Sequence, residues 1–241
     1  MDDAATAPGS VEFLVFGDAS LLWRSGVVLA GAPPVPVSVA LDGVRLLQLV
    51  VTVGTDTNAK DFADWADAAI AYDGAPPLPI SRSALGAEPT RIALSSLPFE
   101  RYEPRPAKFA IGLGLKESAP TRLQGVPSPA AITLHANHRI VINTAGRATR
   151  FEARLGVNDN AASSGSVRFQ FLSHGRPLLE TDVIRAGGPP EDVDLTLEGV
   201  QEFTIVVDDA ADGENYDHAV IADAVFTVTE ASPVITGVLK R

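Results

Sequence analysis

The sequence predicts an all-β protein built as an antiparallel β-sandwich, and three observations predict it. Apolar residues alternate with period two at Val11, Phe13 and Val15, at Phe151, Ala153 and Leu155, at Val167, Phe169 and Phe171, and at Val193, Leu195 and Leu197. Such alternation puts one face of an extended strand on a core and the other toward solvent. Turn-forming clusters rich in Gly, Pro, Asn, Asp and Ser separate these runs, at 158–165, 186–190 and 208–215. No segment shows a convincing helical period, and short strands at this spacing favour two packed sheets.

Along the chain, the first expected strand is Val11 to Val15. The Ala-rich stretch Ala59 to Ala71 has a helical look, but its counterpart Tyr216 to Val228 is rich in β-branched residues, so both are expected to be strands. Residues 73–89 read as a linker, broken by Gly74, Pro76, Pro77, Pro79 and Gly86. Further strands are expected at Phe109 to Leu115, Ile132 to Leu134, Arg139 to Ile142, Thr149 to Val157, Val167 to Phe171, Val193 to Leu197 and within 216–228.

The counterpart just mentioned is part of an internal repeat. Met1 to Ile70 aligns without a gap on Val157 to Phe226 at a constant offset of 156, with roughly a third of the positions identical. Shared residues include Gly9-Ser10-Val11 and Gly165-Ser166-Val167, Phe13 and Phe169, Pro33-Pro34 and Pro189-Pro190, Asp61 and Asp217, and Ala66-Asp67-Ala68 and Ala222-Asp223-Ala224. The unit of construction is a module of about 150 residues. Only its rear half occurs twice. The expected organisation is a half-module over 1–72, a linker over 73–89 and a complete sandwich over 90–230. Half a sandwich exposes strand edges and an apolar face, so 1–72 is expected to pack on the complete module or on another chain. Two rivals are a permuted pairing of 1–72 with 73–156, and completion by sequence upstream.

Composition removes several classes of function. There is no Cys, so disulfides, thiolate metal sites and Cys nucleophiles are excluded. A net charge of −11 without a basic cluster argues against nucleic acid and anionic membranes as partners. Apolar runs are too short for a membrane span. Met1-Asp2-Asp3 lacks the basic and apolar parts of an export signal, which in a truncated chain would lie upstream. No nucleophile elbow, P-loop, dinucleotide fingerprint or zinc-protease motif occurs, and the acidic residues concentrate in turns without a matched acid–base pair. The chain is expected to be non-catalytic.

Three blocks carry a family resemblance: His135-Ala-Asn-His-Arg-Ile140, Arg150-Phe-Glu-Ala-Arg-Leu-Gly-Val-Asn-Asp159 with Gly165-Ser-Val-Arg-Phe169, and Asp212-Gly-Glu-Asn-Tyr-Asp-His-Ala-Val-Ile-Ala-Asp-Ala224. In order and spacing they resemble the NPCBM family of carbohydrate-binding modules, found on bacterial glycoside hydrolases. In the first copy Asp61-Phe-Ala-Asp-Trp-Ala-Asp-Ala68 is similar to the family's closing block. Ile221 stands where the family carries Trp, and Asn137-His138 where Pro-Ser is usual. The resemblance implies a jelly-roll, galactose-binding-like sandwich that takes neutral sugars, galactose-type residues among them. It also implies a structural calcium ion and an extracellular or cell-surface location.

His135, His138 and Arg139 flank one strand and offer planar donors for ring hydroxyls. Asn158 lies in the acidic turn, and Tyr216 and Tyr102 offer aromatic faces. A satisfied loop or core histidine is the plain alternative for His135, and ordinary packing for Tyr102. The loop holding Asp209, Asp212, Asn215 and Asp217 is dense in the oxygen ligands calcium prefers; its plain alternative is a solvated loop of Asx turns. Asp67 and Asp223, inside apolar runs, are expected to be hydrogen-bonded structural carboxylates. Trp65 and Trp23 occupy apolar slots matched by Ile221 and Leu179, so core packing is expected of both. The reading is a sugar-binding accessory module with a neutral glycan as partner. Its rival is a sandwich that has lost its sugar site and serves assembly, with self-association through the incomplete half.

Overall fold

The computed structural model describes residues 9–54, 61–80, 89–100, 109–115, 119–161 and 164–240. The chain divides into two compact units, Met1–Leu85 and Gly86–Arg241. Met1 to Asp3 and Tyr102, for which the sequence raises expectations, lie outside the described residues.

The first unit contains β1 (Ser10–Gly17), β2 (Ser20–Leu29) and β3 (Leu47–Val53), an antiparallel sheet in the order β2-β1-β3. The second contains β4 (Thr90–Ala93), β5 (Phe109–Ile111), β6 (Arg122–Leu123), β7 (Val126–Pro127), β8 (Ile132–His135), β9 (His138–Asn143) and β10 (Ala148–Val157). It continues with β11 (Ser166–Ser173), β12 (Arg176–Glu180), β13 (Ile184–Arg185), β14 (Glu191–Thr196), β15 (Glu202–Asp208), β16 (His218–Val228) and β17 (Val234–Lys240). Its sheets run β14-β10-β16-β8-β5, with β4 also on β16, and β12-β11-β15-β9-β17, with β13 also on β11. All the pairings are antiparallel.

Alternation builds the core between these sheets. Phe151 and Phe226 come from one sheet and Phe169, Phe171 and Phe203 from the other, and all five are fully buried. Across the interface Phe151 lies 5.1 Å from Phe203 and 6.0 Å from Phe171, centroid to centroid. The front-half strands β8 and β9 pair with the rear-half strands β16 and β15. The permuted arrangement is therefore not the one adopted.

The repeat is structural as well as sequential. β1 and β11 match end to end at the offset of 156. Ser10 pairs with Leu29 as Ser166 pairs with Arg185, and Leu14 with Arg24 as Gln170 with Glu180. Even the irregularity before the hairpin turn recurs. Phe13 N–H donates to Ser25 Oγ at 2.9 Å, as Phe169 N–H does to Thr181 Oγ1 at 3.1 Å. A salt bridge crosses both hairpins at the same positions with its charges exchanged: Glu12 with Arg24, and Arg168 with Glu180.

The copies part where neighbours are missing. Residues 35–40 and 62–72 match β14 and β16, yet neither is a strand, which corrects the strand expected over Ala59 to Ala71 for its described part, 61–71. The reason lies in the pairing. β14 pairs with β10, and β16 with β10, β8 and β4, all from the half that occurs once. An extended segment without these partners leaves its backbone groups unpaired in the sheet direction. Residues 61–65 instead fold onto the β1–β2 face. Trp65 meets Phe13 edge-on at 4.9 Å, beside a cluster of Val11, Val28 and Trp23.

Asp67 and Asp223 also correct an expectation. Both are exposed, with φ of 50° in each copy. Asp223 sits where β16 slips register against β10 between Glu152 and Arg154. Its role is to adopt the left-handed conformation a bulge requires, which Asp tolerates better than most residues.

Candidate functional site

Three loops close one end of the complete sandwich. The β8–β9 turn holds Ala136 and Asn137, the β10–β11 loop runs from Asn158 to Gly165, and the β15–β16 loop from Asp209 to Asp217. Backbone pairing sets their spacing: Ala136 N–H donates to Asp217 O at 3.0 Å and Asn158 N–H to His218 O at 2.9 Å. Asn137, with φ of 60°, makes the tight turn. Its Nδ2 donates to Asp209 Oδ2 at 3.2 Å and Glu214 Oε1 at 2.9 Å, joining two loops. Gly165 is obligatory, because a Cβ there would stand 2.4 Å from Tyr216 O. That proximity brings the Tyr216 turn against the start of β11.

The sugar candidates separate into two groups. His135, His138 and Asn158 are buried at this end, with Tyr216 exposed above them. His135 and His218 face each other across paired strands, ring centroids 5.5 Å apart. His138 Nδ1 lies 3.1 Å from Ala136 O. Asn158 Oδ1 accepts from Asn160 N–H at 3.2 Å, while its buried Nδ2 has no hydrogen-bond partner among the described residues. Arg139 is not part of the group: it is exposed, and alternation along β9 sends it away from His138.

The acidic loop is organised largely by protein donors. Asp208 and Asp209 each accept from the backbone two residues on, at 2.9 and 3.1 Å, in consecutive Asx turns. Asp212 Oδ2 accepts from Ser166 Oγ at 2.7 Å. Asn137 and Lys240 hold the Glu214 carboxyl below the usual range. Asn215 is exposed in the turn. Among the described residues no three such side chains converge as a metal cluster.

Asp217 is the exception. It is fully buried. Its Oδ1 accepts from Ser166 N–H at 2.8 Å, but Oδ2 has no partner among the described residues. Burial pushes its carboxyl up to about 6; the Ser166 bond opposes this, and Asp212, Asp209 and Glu214 add to it. In the first copy Asp61 Oδ1 receives the equivalent bond from Ser10 N–H, also at 2.8 Å.

Sequence reasoning missed the part played by Asn137. An Asn between two expected strands, within His-Ala-Asn-His, was the available signal for a left-handed turn. Ile221, where the resemblance leads one to expect Trp, is fully buried between Leu155 and Ile132. The difference therefore falls on the core and not on an exposed sugar platform.

The NPCBM/NEW2 domain model matches residues 1–71 and 91–227. A 71-residue stretch is 42% identical to alpha-1,3-galactosidase B of Akkermansia muciniphila, covering 29% of this chain and 9% of that protein. The chain thus spans under a tenth of that relative's length. The structure of CBM51-2 and INT domains from Clostridium perfringens ZmpB aligns over 57% of this chain and 31% of that one, at 25% identity and a TM-score of 0.50. The CBM51 of Clostridium perfringens GH95, solved in complex with methyl-galactose, aligns over 57% of this chain and all of its own, at 20% identity and a TM-score of 0.51. The tandem CBM51 modules of Sp3GH98 from Streptococcus pneumoniae SP3-BS71 align over 94% of this chain and 75% of theirs, at 13% identity and a TM-score of 0.50. The last two are likenesses of fold. With the family model spanning both copies, the chain belongs to the NPCBM/NEW2 family of non-catalytic carbohydrate-binding modules.

Proposed function

We propose that the complete module binds a neutral, galactose-type glycan at the end closed by the β8–β9, β10–β11 and β15–β16 loops. The observation that carries this is the gathering there of His135, His138, Asn158 and the exposed Tyr216, with the buried Asn158 Nδ2 donor lacking a partner among the described residues. Tyr216 supplies a ring for the C–H face of a sugar, and the imidazoles and amide supply hydrogen bonds to hydroxyls. The methyl-galactose complex of the GH95 module and the galactosidase relative support the choice of sugar. A glycan partner also places the protein outside the cell or on its surface, as an accessory to a larger glycan-acting protein.

A structural calcium ion is the second part of the reading. Asp217 Oδ2, buried and without a partner among the described residues, with Asp212, Asp209 and Glu214 acting on its charge, is the atom a hard cation would satisfy. Its binding would draw the acidic loop from its present donors.

Calorimetric titration of the full chain with methyl-galactoside, with calcium and with chelator, tests both. Millimolar to high-micromolar binding, about −4 to −5 kcal/mol, is expected. Tyr216→Ala should weaken it by about 1 kcal/mol. Absence of binding to any neutral sugar in calcium overturns the sugar reading; a melting temperature indifferent to calcium overturns the metal.

A further inference from the structure

The β8–β9 turn is held by its own peptide groups. Ala136 N–H donates to Asp217 O at 3.0 Å, and Ala136 O faces two imidazoles, His138 Nδ1 at 3.1 Å and His135 Nδ1 at 3.4 Å. A carbonyl oxygen only accepts, so the His138 bond requires the ring proton on Nδ1. In the neutral imidazole the other nitrogen, Nε2, is then an acceptor. The main chain thus chooses the tautomer, and with it the sense of the hydrogen bond that His138 can offer.

The place of the ring gives that choice a use. Burial alternates along β9, with His138 and Ile140 inside and Arg139 outside. His138 is the first residue of the strand, at the loop end, and is 8% exposed. Among the described residues the bond to Ala136 O is the only hydrogen bond of its ring. A buried acceptor left without a donor is costly, so a ligand that supplies one is favoured. The adjoining Asn137 holds the Asp209 and Glu214 carboxylates at the same turn, at 3.2 and 2.9 Å. Their negative charge opposes an anionic ligand group and leaves a neutral O–H as the donor that fits.

Resting on the sugar reading of this loop end, we propose that His138 selects the ligand by its hydrogen-bond sense. Its Nε2 accepts from one hydroxyl of the galactoside, and so requires a free O–H at that place on the sugar ring. An oxygen or a halogen that cannot donate leaves the nitrogen unpaired and is rejected.

The test is an NMR titration of the full chain with methyl-galactoside and with analogues in which one hydroxyl at a time is replaced by fluorine. Fluorine keeps the size and polarity of the hydroxyl but cannot donate. One analogue should bind about tenfold more weakly than the parent. His138→Asn is the matching variant: its amide can still donate to Ala136 O from the Nδ1 position, and nothing in it replaces Nε2. In that variant the parent should bind about tenfold more weakly, and the further loss with the critical analogue should vanish. The wild-type ring gives a second readout that does not need the variant to fold. In the free protein His138 Nδ1 should carry the proton, and the Nε2 resonance should move when methyl-galactoside is added. If the parent sugar does not bind, the sugar reading falls and the role of His138 falls with it. If it binds, but wild type and His138→Asn rank the analogues alike, or Nε2 carries the proton or stays still at saturation, the role of His138 is overturned and the sugar reading stands.

Discussion

Asp217 is held out of water with only one of its oxygens satisfied, and this sets a pH dependence whose sign is fixed. Its ordinary value of 3.8 is raised to about 6 in the folded protein. Folding therefore favours the protonated form. The contribution is full below the unfolded value and is lost as pH rises from about 4 through about 6. Asp217→Asn keeps an oxygen for Ser166 N–H and removes the titration. The difference in urea-unfolding free energy, variant minus wild type, should increase by about 2 kcal/mol between pH 4 and pH 8. A difference that stays level over that range would mean the carboxylate ionises without penalty. Much of this residue's environment was legible. Its match to Asp61 and the crowd of acidic neighbours were visible in the chain, where the loop was read as a candidate calcium site. Its burial was not, because burial follows from β8 and β11 arriving beside it. Asp223 was misread for a related reason: an Asp among apolar residues looks buried until a bulge turns it outward.

At the scale of elements, β3 and β15 are one strand in two settings. Both carry large apolar residues at matched alternate positions, yet neither was among the strands expected from the sequence. Ile205 is 0% exposed and Leu49 46% exposed. What alternation does not encode is whether a neighbour exists. Ile205→Ala empties part of a closed core and should cost about 2–5 kcal/mol. Leu49→Ala, at the same position of the half-module, should cost less than about 1 kcal/mol. Urea unfolding of the two variants measures the contrast, and equal costs would mean that Leu49 is buried in solution. The stretch 61–71 carries the same lesson in the other direction. It shares Ala63 and Ala66-Asp67-Ala68 with β16 and Asp61 with the Asp217 just before it, yet it leaves the extended form because β10, β8 and β4 have no counterparts among the described residues of the first unit. Local pattern proposes a strand; the adjoining strands decide it.

For the whole molecule, the two six-stranded sheets of the second unit are built from its own strands, and the five fully buried phenylalanines between them come from within it. A fragment spanning 86–241 should therefore fold alone and unfold in one cooperative step. In calorimetry that step should coincide with one transition of the full chain. A fragment that remains unfolded would show that the first unit is needed for its stability. The exchanged ion pairs of the two hairpins carry a consequence for the history of such arrays. Glu12 faces Arg24, and Arg168 faces Glu180. A genetic crossover between the copies that falls within the hairpin would join Glu12 to Glu180, or Arg168 to Arg24. Each hybrid sets like charges against each other across neighbouring strands. Only exchanges that carry the hairpin intact escape this repulsion, so the inverted polarity works against the copies converging on one sequence.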